Sequence, residues 1–208
     1  ALMAKKSRIA AHIQQKANSK YSLKKDIESS PLKSMSRPSA SARKYIMENC
    51  EAVAKSKILP GMMIMFRYFE PKNKEELEYY DAWPCTIFFG VVDAKEGKRV
   101  LGFNIHYYPT KMRVIILNKI FEIYKPIMVK YFSDGISKEI DSFDYQYLID
   151  ALEKAKLSFG VRMYIPELID KPVQVKPNQW NVAAYTEGIF KKRTRESIVK
   201  YWNNWKGA

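Results

Sequence analysis

The pattern of side chains in this chain predicts an α+β fold, a small antiparallel β-barrel or sheet followed by helices. Three observations carry that prediction. Short aromatic and β-branched runs fall between residues 62 and 108, helical periodicity takes over after Thr110, and the charge excess is confined to the ends. Residues 1 to 57 carry 13 Lys and Arg against 4 acids, residues 191 to 208 carry 6 against 1, and the stretch between holds 17 of each. The net charge of +14 therefore belongs to two cationic ends on a neutral middle, a distribution suited to an anionic partner.

The organisation that follows is a basic N-terminal arm with a tether and a helix (1–57), an α+β core domain (58–190) and a basic, Trp-rich C-terminal helix (191–208). A core of this size can bury roughly two thirds of its unfolded surface. No apolar stretch approaches the ~20 residues of a membrane span. The richest run, Val114 to Leu117, soon meets Asn118 and Lys119. The opening residues lack the apolar segment of a secretory signal, so Cys50 and Cys85 are expected as reduced, packed thiols in a cytoplasmic setting.

In chain order, Ile9 and Ile13 stand at i and i+4 among Lys5, Lys6, Arg8, Lys16 and Lys20, a basic helix with a thin apolar stripe. Residues 22 to 41, rich in Ser and Lys with Pro31 and Pro38, read as an extended tether. Ser39 or Ser41 then caps a helix with Tyr45, Ile46, Cys50 and Val53 on one face, ended by Lys55, Lys57 and Pro60-Gly61.

MMIMFRYF (62–69), CTIFFGVV (85–92) and RVLGFNIHYY (99–108) are predicted strands, the last two joined by a hairpin at Ala94 to Lys98. The longer loop from Glu70 to Pro84 is acidic. Residues from Thr110 form a helix whose apolar face includes Met112, Ile115, Ile116 and Ile120, broken or kinked at Pro126. A second helix runs from Ser142 to Leu157, capped by Asp141 or Ser142, with Tyr145, Leu148, Ile149 and Leu152 inward. MYIPELIDKPVQVKPNQW, with its three prolines, reads as extended connection.

Two short helices, Asn181 to Phe190 and Thr194 to Trp205, finish the chain. In the last, Ile198, Tyr201, Trp202 and Trp205 form a stripe among Lys191, Lys192, Arg193, Arg195, Lys200 and Lys206. The stripe either docks the helix on the domain while the cations snorkel outward, or offers a platform to nucleic acid or a partner subunit.

Catalytic chemistry finds little material. With His12 and His106 as the only histidines, a multi-histidine metal site within one chain is excluded, and two cysteines do not complete a structural zinc site. A Cys85, His106 and Asp81 triad is conceivable, but a His among aromatics on a strand is more commonly a hydrogen-bonded core residue. GVVDAKEGKR (90–99) has the wrong glycine spacing for a phosphate loop and lies between strands. The acidic segment Glu75 to Asp81 lacks the alternation and central Gly of a calcium loop. No cofactor, metal or enzymatic activity is expected, and binding is left as the main activity.

ILPGMMIMFRYFEPK, YYDAWPCTIFF and VLGFNIHYYPTKMR, about a quarter of the chain within residues 58–113, resemble a motif of structural proteins of large tailed bacteriophages, in particular the DNA end protectors of the T4-like group. The resemblance implies scaffold roles for Pro60, Gly61, Phe66, Tyr68, Tyr80, Asp81, Pro84, Gly102, Asn104, His106, Tyr107 and Arg113. An SH3-like barrel followed by helices is the expected fold, with MYIPEL and PVQV as candidates for its remaining strands.

It further implies a non-enzymatic virion component, assembled in the host bacterial cytoplasm in multiple copies of a symmetric assembly, near the head-tail neck or the packaged DNA end. Other virion proteins of the neck, tail or portal region, and double-stranded DNA, are the expected partners, and no membrane is expected. The basic ends supply the contacts: Lys5, Lys6, Arg8, Lys16, Lys20, Lys24, Lys25, Lys191, Lys192, Arg193, Arg195, Lys200, Trp202 and Trp205. The alternative is a tail or baseplate connector making only protein contacts. An RNA-binding host protein ranks below both, since RNP, KH and GXXG signatures are missing.

Overall fold

A computed structural model describes residues 23–35, 38–69, 80–121 and 145–191. Helix α1 (Leu23–Glu28), a 3₁₀ turn (Pro31–Ser34) and helix α2 (Pro38–Asn49) precede a short strand β1 (Glu51–Ala52). Strands β2 (Met63–Tyr68), β3 (Tyr80–Asp81), β4 (Cys85–Ala94) and β5 (Gly97–Asn104) follow, then a 3₁₀ turn at Ile105–Tyr107. Helix α3 occupies residues 110–121 and α4 Tyr145–Lys154. β6 (Val161–Tyr164), β7 (Ile169–Val175), α5 (Trp180–Ala183) and β8 (Phe190–Lys191) complete the described chain.

Mixed helix and antiparallel sheet is thus what forms. Six strands pair in the order β1-β7-β2-β4-β5-β6, while β3 and β8 form a separate two-stranded ribbon. The large sheet has two edges, β1 and β6, so the closed-barrel form of the expectation gives way to an open sheet. Three predicted strands lie where β2, β4 and β5 stand, but the third ends at Asn104, because the Asn104 side chain accepts the His106 N–H and turns the chain into the 3₁₀ segment.

MYIPEL and PVQV contribute β6 and β7 despite their prolines. Pro172 is accommodated where Lys171 and Pro172 together oppose Phe66, a bulge in which Lys171 takes φ 47° and Pro172 needs no ladder donor. A turn at Lys95 and Glu96 closes the β4-β5 hairpin, with Gly97 at φ 104° absorbing the conformation an L side chain resists.

Both faces of the sheet are buried, which is why its strands read as continuous apolar runs. Met63 and Met65 of β2 join Ile87, Phe89, Phe103, Val173 and Val175 in the larger core beneath the helices. Ile64, Phe66 and Tyr68 point the opposite way and pack with Phe88, Val100, Tyr164 and Ile169. The ring of Tyr164, on edge strand β6, meets Phe66 and Tyr68 edge-on at 5.2 Å each, so the sheet curls over its second face.

The tether predicted over residues 22–41 is replaced by helix over Leu23–Glu28 and from Pro38, while the 3₁₀ turn Pro31–Ser34 between them stays largely exposed. Leu23 and Ile27, at i and i+4, are completely buried in the larger core with Ile46, and the Tyr185 hydroxyl donates to the Ile27 carbonyl at 2.6 Å. Composition misled here because two well-spaced apolar residues suffice when a tertiary groove receives them. α2 begins at Pro38, placing Ser39 and Ser41 inside the helix instead of at its cap, buries Ala42 and Ile46 while Tyr45 faces out, and stops at Asn49, leaving Cys50 and Val53 outside it because Glu51 and Ala52 pair with β7 as β1.

Of the face predicted for α3, Met112, Ile116 and Ile120 pack on the core, while Ile115 is exposed and Arg113, Val114, Leu117 and Phe121 widen the buried face. The expected helix from Asn181 to Phe190 shrinks to α5, since Thr186 and the residues after it are drawn into a polar joint described below. In α4, Leu148 and Leu152 face the core as expected. Pro126, the caps at 141–142 and the helix from Thr194 lie outside the described residues.

Two substitutions test this packing. Ile27→Ala should lower stability by about 2 to 5 kcal/mol, measured by urea unfolding; a solvated tether would show no change. At Gly102 an added Cβ would sit 2.8 Å from the Ile87 carbonyl oxygen and 2.4 Å from Thr86. Gly102→Ala is therefore expected to cost about 1 to 3 kcal/mol, read as a lowered Tm.

Candidate functional site

Asp81 is the centre of the most densely connected polar cluster. It lies at the end of β3 and is buried, yet each carboxylate oxygen accepts two hydrogen bonds. Oδ1 receives the backbone N–H of Trp83 (3.0 Å) and of Ile189 (2.9 Å), while Oδ2 receives Asn104 Nδ2 (3.1 Å) and His106 Nδ1 (2.6 Å). His106 Nε2 stands 2.8 Å from the Thr186 hydroxyl. Segments around 81, 104–106 and 186–189 thus converge on one carboxylate.

Arg113 seals the cluster from the helix side. It donates to the carbonyls of Tyr108 (2.6 Å), Ala184 (3.1 Å) and Thr186, tying α3 to the same C-terminal segment. From α2, Arg43 donates to the Glu187 carbonyl, while its buried Nε has no hydrogen-bond partner among the described residues. Burial lowers the affinity of the Arg43 guanidinium for its proton, against the pull of Asp81 and Glu187.

The charge states follow from these contacts. Burial works to raise the Asp81 carboxyl, but the neighbouring His106 and the converging donors outweigh it and hold it below the usual range. His106 is pushed below its ordinary value by burial, with Arg113 and Arg43 adding repulsion and Asp81 opposing them. A neutral imidazole results, donating from Nδ1 to Asp81. The Thr186 hydroxyl lies 2.7 Å from the Ala183 carbonyl as well as 2.8 Å from Nε2, so its single proton is shared between those two acceptors.

Carboxylate, imidazole and hydroxyl stand in the order of a nucleophilic triad, but the arrangement is closed. The His106 and Asp81 side chains are 0% and 1% exposed and Thr186 is fully buried, so a substrate has no approach to any of them. Cys85 does not serve as nucleophile either. Burial pushes its thiol far above the ordinary range, and it too is fully buried. Cys50, pushed up to about 11 by burial, donates to Gln179 Oε1. Among the described residues no group of His, Cys, Asp and Glu could hold a metal ion, and none of the described helices is long and apolar enough to cross a membrane.

The structure places all twelve residues of the sequence motif in or next to the sheet and this joint. Gly61 takes φ 88° and donates to the Phe88 carbonyl, turning the chain into β2 after Pro60. Phe66, Tyr68 and Tyr80 fill the second core, and the buried Pro84 offers its carbonyl to Phe66 N–H. Gly102 lets β5 approach β4, Tyr107 packs edge-on against Phe190 at 5.3 Å, and Asp81, Asn104, His106 and Arg113 build the joint. Thr186 and Arg43 were missed; no local signal links either to His106, since Thr186 lies 80 residues away and Arg43 arrives only through helix packing.

Of the residues proposed to meet a partner, Lys24, Lys25 and Lys191 are described, and all three are exposed. Lys24 and Lys25 lie on the outer face of α1, opposite Leu23 and Ile27; Lys191 ends β8, paired with Tyr80. Lys5, Lys6, Arg8, Lys16, Lys20, Lys192, Arg193, Arg195, Lys200, Trp202 and Trp205 lie outside the described residues.

Fold and site together define an α+β protein whose polar centre is a sealed structural joint, with exposed cations at both ends of the described chain. The family described as phage T4 terminal DNA protecting protein matches it over residues 3–205, and the chain belongs to that family. It is a family of phage DNA-protecting structural proteins and not one of enzymes. Searches of curated proteins and of solved structures returned no match.

The joint has a pH signature. Because His106 is depressed in the native state, unfolding takes up a proton below about pH 6.5, and stability is full above that value and falls as pH drops through it. Urea unfolding between about pH 7.5 and 5 should show a loss approaching 1.4 kcal/mol per pH unit, flattened in His106→Gln. A wild-type profile as flat as the variant's would refute the neutral, buried imidazole. Asp81→Asn should cost about 3 to 5 kcal/mol at neutral pH.

Proposed function

We propose that this chain is a virion protein that covers the terminus of packaged double-stranded DNA, near the head-tail neck, holding DNA and neighbouring subunits through its basic ends. The observation that carries the reading is the family match over residues 3–205, whose description names terminal DNA protection. Supporting it is the charge distribution: residues 1–25 contain seven Lys and Arg and no acid, and 191–208 contain six against one. Such concentrations neutralise phosphates and release counterions, the main source of affinity for a duplex irrespective of sequence.

The core supports a scaffold role and, in its topology, an SH3-like module left open. Strands β2, β4, β5, β6 and β7 follow one another in the chain and pair in the order β7-β2-β4-β5-β6. The 3₁₀ turn Pro166–Leu168 carries the chain directly from β6 to β7, and Ile165 N–H donates to the Tyr68 hydroxyl across the curled face. The boundaries 1–57, 58–190 and 191–208 remain the proposed division of labour, with α1 and α2 packed on the core. The connector alternative, in which the cations meet acidic protein surfaces, predicts no affinity for DNA.

Binding to linear duplex should weaken with salt along a slope near −5 in log affinity against log salt, corresponding to roughly six phosphate contacts. Linear DNA with open ends should also bind more tightly than a closed circle of the same sequence. Absence of binding at about 50 mM salt would instead favour the connector.

A further inference from the structure

The β4-β5 hairpin runs past its neighbours in the sheet. On one side β2 begins at Met63, opposite Ile87, and the last described bonds along that side of β4 tie Phe88 to the Gly61 N–H and the Met62 carbonyl, 2.8 Å each. On the other side β6 ends at Tyr164, opposite Val100. Among the described strands, Val92 to Ala94 and Gly97 to Arg99 therefore pair only with each other. Val91, at the start of this projection, is 54% exposed.

The ladder fixes which backbone groups the free edge of β4 offers. Ala94 and Gly97 flank the two-residue turn and exchange both of their hydrogen bonds, and in an antiparallel ladder such pairs alternate with unbonded ones. Val92–Arg99 and Gly90–Leu101 are then bonded pairs, while Val91 and Asp93 turn their N–H and C=O groups away from β5. On the side where β2 would continue, those four groups meet no described strand.

We infer that this edge is a contact between two copies of the chain, β4 pairing antiparallel with β4 about a two-fold axis through Val92. Val91 of one copy exchanges both hydrogen bonds with Asp93 of the other, and Asp93 with Val91, so every free group finds a partner. The neighbouring registers are worse. Centring on Asp93 sets two carboxylates directly opposite each other, which destabilises a sheet. Centring on Val91 brings Asp93 against Phe89, where the β4 ladder shifts between Phe88 and Gly90.

An edge that complements itself in one register fits a second copy better than an unrelated strand. The side chains agree with that partner. Val91 stands opposite Val100, a member of the second core, so the pairing continues that apolar face up to the two-fold axis. Exposed edges are commonly guarded by Lys or Pro, and the outward-facing Val91 is neither. The inference is independent of the DNA-binding reading, since no cationic end takes part.

The test uses the full chain at about 0.15 M salt. Sedimentation velocity at rising concentration should reveal a monomer–dimer equilibrium, and Val91→Lys should weaken it at least about tenfold with an unchanged Tm. Cysteine pairing reads the register. Across the axis Val92 faces Val92 as an unbonded pair with Cα atoms about 4.5 Å apart, within disulfide reach. Val92→Cys should oxidise to a linked dimer, whereas Val91→Cys, shifted to the diagonal, and the unmodified chain with Cys50 and Cys85 should not. A chain that stays monomeric, a dimer indifferent to Val91→Lys, or cross-linking at Val92 no greater than at Val91 overturns the β4 contact, whatever the DNA measurements give.

Discussion

The hydrogen-bonded carboxylate of Asp81 is the constraint on which the arrangement of the chain depends. A buried charge is tolerable only when its lone pairs are filled, and here four donors from three separate segments fill them. Each donor fixes something different: Trp83 the entry to β4, Asn104 the end of β5, His106 the turn toward α3, and Ile189 the ribbon with β8. The short β3-β8 ribbon could not be stable alone, and this anchoring is why it persists. Arg113 extends the same joint to α3, balancing the negative charge and filling carbonyls that would otherwise lie orphaned.

Around that joint the sheet supplies bulk. Its faces pack into two cores, one under the helices and one within the curl of the sheet. Tyr108 links the layers at one end: its ring stacks on Phe103 and Phe159, and its hydroxyl accepts the Gly160 N–H (2.8 Å) while donating to Leu157. Only glycine fits there, because a Cβ at residue 160 would fall 2.2 Å from the Tyr108 ring. Side chains that look interchangeable as aromatic runs are thus held in specific places by a few polar bonds.

Much of the strand content was legible because period and composition are local signals. β2, β4, the hairpin at Gly97 and the scaffold character of Asp81 and Asn104 all follow from residues a few positions apart. What escaped is non-local. α1 reads as tether until Tyr185 and the core meet it, Arg113 of α3 is buried to reach carbonyls of Ala184 and Thr186 far along the chain, and Thr186 acquires meaning only through a histidine 80 residues earlier. Pro172 argued against a regular strand at β7, yet the bulge at Lys171 and Pro172 removes the objection without altering the rule. The triad imagined from Cys85, His106 and Asp81 contained one real pair, whose third partner is a sealed threonine.

Function is read from the opposite kind of feature, since the charge at the ends is visible in the sequence itself. The sealed joint fixes the segment from Thr186 to Lys191, and Tyr185 just before it bonds α1. The most direct measurement of the account is the protection of a linear duplex from a processive exonuclease by the purified chain. The account expects the terminus to survive at stoichiometric protein and to be digested once salt is raised enough to displace the cations. Digestion at the rate seen without protein, at low salt and saturating chain, would contradict it.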